Sequence, residues 1–249
     1  MTGRVEGKIA IITGAASGMG AAVARLMYAN GASLVMADIS DSVIRLAAEL
    51  GDRAVGIVGN VGASADAIAM VDLAVSSFGG VDILCNIAGY TGDNRGTLVD
   101  CSDENFDTLV AVNFRGPFMT MKAAIPHMIA RGGGSIVNVA STAALKGYPS
   151  LVAYGGAKAG LVSLSRGAAV EFSAHNIRVN TICPGPHETP MLLAAIEANP
   201  ASREKIIGSV PMRRLGKAEE IAQAIYFYAS DASAFVTGTV LPVEGGQTA

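Results

Sequence analysis

A phenol and an ammonium stand four residues apart in Tyr154-Gly155-Gly156-Ala157-Lys158, a pairing whose residue types suit proton transfer. On a helix that spacing puts both side chains on one face. Free tyrosine has a pKa near 10 and carries little phenolate at neutral pH. A neighbouring cation lowers that value, and two cations in a low-dielectric cleft lower it further. Each unit corresponds to about 1.4 kcal/mol, so bringing the phenol three units down takes about 4 kcal/mol. Alone, the pair is common, and an exposed tyrosine beside a solvated lysine is the better reading. The rest of the chain has to decide.

A second group of residues could hold a charged ligand. Thr13-Gly14-Ala15-Ala16-Ser17-Gly18-Met19-Gly20 follows a short apolar run and precedes a helical pattern. Glycines at such a junction allow a tight turn and a close backbone approach to a pyrophosphate. The following helix start offers free N–H groups and a partial positive charge. Three glycines in a glycine-rich chain could also be plain packing residues. Asp38 ends the next apolar run, where an acidic side chain can accept from the hydroxyls of an adenosine ribose. A carboxylate there repels a 2′-phosphate, and neither the glycine turn nor Ile39 supplies a basic partner, which favours NAD over NADP. As helix caps, Ser40 and Asp41 are better candidates than Asp38.

Short apolar runs alternating with longer periodic segments must position these groups. Strands are expected at Lys8 to Thr13, Ser33 to Ala37, Ala54 to Val58, Val81 to Cys85, Ser135 to Ala140, Arg178 to Ile182 and Val240 to Val243. Helices are expected at Gly20 to Asn30, Asp41 to Leu50, Ser64 to Phe78, Asp103 to Arg131, Leu151 to His175 and Ala218 to Ser230. Apolar strands separated by helices imply an α/β fold: a single-domain, doubly wound (Rossmann) parallel sheet of about seven strands, covered on both faces and spanning residues 1–249. Residues 188–214 break the rhythm with Pro190, Pro200 and Pro211 around an apolar run, Met191 to Ile196. They read as a substrate lid or as a surface excursion.

Composition bounds the function classes. Of 249 residues, 51% are hydrophobic and 16% charged, and the net charge of −3 leaves no basic footprint for nucleic acid. Thirty glycines exceed an average share of about 7% without a collagen period. No run of 18 or more apolar residues points to a membrane span. Ile9 to Ala24 follows Arg4 and Lys8 but holds three glycines, against a secretory leader, so the expected location is the cytoplasm. Cys85, Cys101 and Cys183, with His127, His175 and His187, are too scattered for a metal site.

Further motifs join these in order: Asn86-Ile87-Ala88-Gly89, Asn113, Gly134-Ser135-Ile136-Val137-Asn138, Ser141, Pro184-Gly185, Thr189 and Val243-Glu244-Gly245-Gly246. Together with Thr13 to Gly20, Asp38, Tyr154 and Lys158, they make the chain resemble the short-chain dehydrogenase/reductase family over Lys8 to Gly246. The resemblance implies that Tyr154 is the general acid/base, with Lys158 depressing its pKa and bonding the nicotinamide ribose. It implies that Ser141 holds the substrate oxygen and that Asn113 anchors a water leading to Lys158. It further implies an NAD site built from Gly14, Ser17, Gly18, Met19, Gly20, Asp38, Ile39, Asn60, Val61, Asn86, Ala88, Gly89, Tyr154, Lys158, Pro184, Gly185, His187, Thr189 and Met191. A homotetramer acting on a small molecule is the implied assembly.

Three positions depart from the family pattern. Ile87 replaces a second Asn. Asn60 stands where an Asp commonly meets the adenine amino group, and its amide oxygen can still accept there. His187 stands where Val or Ile is usual; its imidazole either contacts substrate or a loop, or faces solvent. For the substrate, Ser141, Ala143, Tyr148, Tyr90, Met191 and Leu192 are the candidates, with Leu145 and Leu193 beside them. This mostly apolar set suggests a neutral, hydrophobic secondary alcohol or ketone, cyclic or aryl. A 3-oxoacyl-carrier-protein-type reductase, a role that usually favours NADPH, and a non-catalytic dinucleotide sensor are the other readings.

Overall fold

The apolar runs become seven parallel strands in the order β3-β2-β1-β4-β5-β6-β7. They are β1 (Ile9–Thr13), β2 (Ser33–Asp38), β3 (Ala54–Val58), β4 (Ile83–Asn86), β5 (Gly134–Val139), β6 (Ile177–Pro184) and β7 (Val240–Val243). This architecture comes from a computed structural model that describes residues 5–92 and 96–249. The helices are α1 (Gly18–Ala29), α2 (Ser42–Leu50), α3 (Ser64–Phe78), α4 (Asp103–Val110), α5 (Gly116–Ala130), α6 (Val152–Phe172), α7 (Pro190–Ala198), α8 (Ser202–Gly208) and α9 (Ala218–Ala229). Among the described residues no helix is long and apolar enough to cross a membrane.

Strand periodicity divides the core in two. Ala10, Ile12, Leu34 and Met36 face one side, where they pack with Val23 and Met27 of α1, Leu46 of α2 and Ile221 and Ile225 of α9. Their alternates Ile9, Ile11, Val35 and Ala37 face the other, against Met70 of α3 and Met121, Ile125 and Met128 of α5. Burial on both faces is why the strands read as continuous apolar runs. The chain winds outward from β1 to β3 and then returns to place β4 on the other side of β1. That reversal opens a crevice at the carboxyl ends of the strands, the place where such sheets bind ligands.

The expected helix from 103 to 131 is interrupted. Between α4 and α5 lies one π turn, Ala111–Arg115, in which the Gly116 N–H donates to the Ala111 carbonyl five residues back. Two residues cause the break. Asn113 Nδ2 donates to the Leu109 carbonyl at 3.0 Å, and Pro117 has no N–H to give the Asn113 carbonyl its α-helical bond. Such turns concentrate at functional sites.

Residues 188–214 carry α7 and α8. Their base is clasped: the Glu188 N–H donates to Gly216 O at 2.8 Å and the Gly216 N–H to Pro186 O at 3.0 Å. His187 and Gly216 thereby make a one-residue parallel bridge.

Candidate active site

The β1–α1 turn depends on glycine at two places. Gly14 has φ +69°, and a Cβ there would come 2.8 Å from Ala88 Cα. A Cβ at Gly20 would run into the Gly14 carbonyl. The turn therefore folds flat against the β4 loop and points the start of α1 into the crevice. Asp38 fixes it from the other side, with Oδ2 accepting from the Ala16 N–H and Oδ1 from the Ser40 N–H, both at 3.0 Å. It does not cap α2, which starts after Asp41 with no side-chain cap.

These elements enclose a cavity of about 470 Å³. Gly14, Ser17, Gly18, Met19, Gly20, Asp38, Ile39, Asn60, Val61, Ala88, Gly89 and Thr189 all line it, and no Lys or Arg does among the described residues. The flat glycine turn, the helix N-terminus and the Asp38 carboxylate at the end of β2 fit a dinucleotide. Asn86 is a correction. Its amide is buried in the sheet, donating to Asn138 Oδ1 at 2.8 Å and accepting from the Thr120 hydroxyl at 2.7 Å. Tyr90, expected at the substrate, lines this first cavity instead.

A second cavity, of about 410 Å³, meets the first at Met19 and Thr189. Ser141, Ala143, Tyr148, Tyr154, Pro184, Gly185, His187 and Leu192 line it. Leu145 and Leu193 do not, and both are exposed. The side chain of Met191 lies outside the described part of the chain. Sequence reasoning missed Gln247, Lys205, Ile206 and Ser209, which also line this cavity. They come from α8 and the C-terminal end, and no local motif marks them.

Lys158 is buried beneath this cavity, its Nζ donating to the Val139 carbonyl at 2.8 Å and lying 5.9 Å from the Tyr154 ring centre. Burial pulls its pKa down to about 8. Burial also pushes the Tyr154 phenol up to about 12, a rise that the Ser141 side-chain hydrogen bond opposes and the neighbouring Cys183 reinforces. Burial thus weakens the ammonium and disfavours the phenolate together. Cys183 is part of this cluster: burial raises its thiol to about 11, against a bond from the Ser141 backbone.

Asn113 is fully buried. Its Nδ2 donates to Tyr90 O at 2.7 Å as well as to Leu109 O, and its Oδ1 accepts from the Tyr90 N–H at 3.2 Å. The side chain thus ties the β4 loop to the π turn. His187 does not face solvent. It is 5% exposed, with Nδ1 2.9 Å from Gly185 O, and its ring lies so close to Gly216 that a Cβ there would collide with it. Burial lowers its pKa.

A family model described as Enoyl-(Acyl carrier protein) reductase matches residues 14–248. The chain belongs to the short-chain dehydrogenase/reductase family. It is 39% identical to a 4-formylbenzenesulfonate dehydrogenase of Comamonas testosteroni, over 96% of this chain and 97% of the relative. It is 38% identical to a cis-4-hydroxycyclohexanecarboxylate dehydrogenase of Sinomonas cyclohexanicum, over 97% of each. Among solved structures, a 3-ketoacyl-(acyl-carrier-protein) reductase from Brucella melitensis complexed with NADH superimposes with a TM-score of 0.92 at 36% identity, covering 98% of this chain and 100% of that one. Members of this short-chain dehydrogenase/reductase family are oxidoreductases that bind a nicotinamide dinucleotide and act broadly on alcohols and ketones.

Proposed function

We propose that the protein is an NAD-dependent dehydrogenase of a hydrophobic, ring-bearing secondary alcohol, working in reverse as a ketone reductase. The observation that carries this reading is the junction of the two cavities, with Tyr154 and Ser141 both lining the second. When bound, the dinucleotide supplies the hydride acceptor or donor and, in its oxidised form, a positive charge. Asp38 favours NAD because a 2′-phosphate beside it meets a carboxylate and no basic side chain. Ser141 holds the substrate oxygen, and Tyr154 Oη gives or takes its proton. Lys158 Nζ, anchored on Val139 O, sets the field at the phenol. The mainly apolar wall, including Met19, Leu151 and Leu192, suits a ring, and the two named relatives act on ring compounds.

Assembly into a homotetramer is consistent with apolar side chains left exposed on α4, α5 and α6, among them Phe106, Phe118 and Val170. A 3-oxoacyl-carrier-protein reductase is the second reading, favoured by the Brucella melitensis structure. The deciding experiment measures kcat/KM for cyclic and aryl secondary alcohols with NAD and with NADP, following NADH absorbance, in the wild type and Tyr154→Phe. NAD should be preferred, and the variant should lose about 10²- to 10⁴-fold in turnover while still binding NADH. A clear preference for NADP, or unchanged turnover in the variant, refutes the proposal.

A further inference from the structure

The second cavity is not electrically neutral. Its walls are mostly uncharged, and Lys205 of α8 is the one lining side chain, among those described, that carries a full charge at neutral pH. Burial lowers the pKa of His187 there, and among the described residues no carboxylate lines the cavity. Lys205 forms no ion pair among the described residues, whose three pairs are Arg25–Glu49, Arg131–Asp82 and Arg214–Glu220. Lys205 is exposed to solvent, so its charge stands unpaired at the edge of a recess whose other groups are dipoles or hydrocarbon.

The groups around Lys205 extend this polar side. Ser209, four residues on and capping the end of α8, also lines the cavity. Gln247 Nε2 donates to Ser209 Oγ at 2.9 Å, while the Tyr148 hydroxyl donates to Gln247 Oε1 at 3.0 Å. Lys205, Ser209, Gln247 and Tyr148 thus form a polar rim facing apolar walls. Lys205 does not line the dinucleotide cavity, where the β1–α1 turn and the start of α1 already provide for a pyrophosphate. Its charge is on the substrate side.

We infer that the substrate is an anionic ring alcohol or ketone, bearing a carboxylate or similar oxoanion remote from its reacting carbon, which Lys205 Nζ receives at the rim. This deepens the dehydrogenase reading and rests on it. The neutral substrate suggested by the local sequence is replaced by one with an apolar body and a charged end. In oxidation the hydride leaves the carbinol carbon, the proton leaves its hydroxyl, and the anionic group is unchanged.

The test compares 3- and 4-hydroxycyclohexanecarboxylate with their methyl esters and with cyclohexanol, using NAD, in the wild type and in Lys205→Met, Lys205→Glu and Lys205→Arg. Wild-type kcat/KM should favour the acids over the esters by about fivefold, as expected for a partly exposed charge pair. The ratio should fall to about one in Lys205→Met, invert in Lys205→Glu and return in Lys205→Arg. Turnover of the ring alcohols with no preference for the acids overturns this inference and leaves the dehydrogenase reading standing. Failure of all the ring alcohols to be oxidised overturns both. NADH affinity, read by fluorescence titration, separates a pyrophosphate role: a loss there as large as the loss with the acids also overturns it.

Discussion

Removing the buried ammonium should change the pH dependence of stability in a way that isolates Lys158. In the fold its pKa falls from 10.5 to about 8 through burial. Between those values the unfolded chain holds the proton and the folded chain releases it, so this residue makes stability rise with pH. Below about pH 8 the ammonium carries its full burial penalty, about 3 kcal/mol for 2.5 units. The penalty is relieved by about 1.4 kcal/mol at pH 9 and by about 2.6 kcal/mol at pH 10. Lys158→Met has no such term. The thiols of Cys183 and Cys85 and the Tyr154 phenol are raised by burial and act in the opposite direction, lowering stability as pH rises above about 9. They are present in both proteins and largely cancel in the difference. Urea melts of the two proteins at pH 7, 8, 9 and 10 measure that difference directly. Wild-type stability relative to the variant should climb by about 1.4 kcal/mol from pH 7 to 9. A flat difference over that interval would mean that Lys158 keeps an ordinary pKa and that burial does not weaken its charge. The variant should also lose turnover, trading activity for the relief of a buried charge.

Two further outcomes follow from single contacts. Asn113→Leu keeps the volume but removes three bonds to the Tyr90 and Leu109 backbone; stability should fall by about 2–4 kcal/mol, and a melting temperature within 2 °C of wild type would refute the structural tie (a threshold of roughly 1 kcal/mol). Asp38→Asn combined with Ile39→Arg keeps an oxygen for the Ala16 N–H while reversing the local charge, and should raise the NADP-to-NAD ratio of kcat/KM on the order of a hundredfold; an unchanged ratio would show that Asp38 does not set the preference.

What could be read in the sequence was whatever local spacing encodes. The glycine turn, Asp38 and the Tyr154–Lys158 pair sit at strand ends or on one helix face, so short motifs suffice for them. The π turn was hidden because the apolar pattern from Asp103 to Arg131 runs on without a gap, and the break depends on the Asn113 amide bonding the Leu109 carbonyl, beside Pro117. His187 was ambiguous because its burial is set by Gly216, which only the clasp at the base of α7 and α8 brings near. Lys205 and Gln247 join the second cavity through tertiary folding, and neither belongs to a recognisable motif. The charge state of Tyr154 is hidden for a different reason. Spacing shows that a cation is near, but the balance between that cation and desolvation depends on how deeply both are buried.

That balance makes the two directions of the reaction unequal. With the phenol at about 12 and Lys158 at about 8, the protein alone presents a protonated Tyr154 at neutral pH. Giving a proton to a carbonyl oxygen needs no prior change. Taking one from an alcohol needs the phenolate, about five units away at pH 7, or about 7 kcal/mol. The charge of the oxidised dinucleotide is the remaining source of that stabilisation, and whatever it leaves uncovered must come from pH. Alcohol oxidation should therefore rise with pH across 6 to 9, approaching tenfold per unit where the phenol is mostly protonated, while ketone reduction stays nearly level from 6 to 8. Initial rates of kcat/KM in both directions over that range check it. Oxidation that is flat from pH 6 to 9 would place the phenol's working pKa below 6 and would mean that burial is outweighed by the two cations after all.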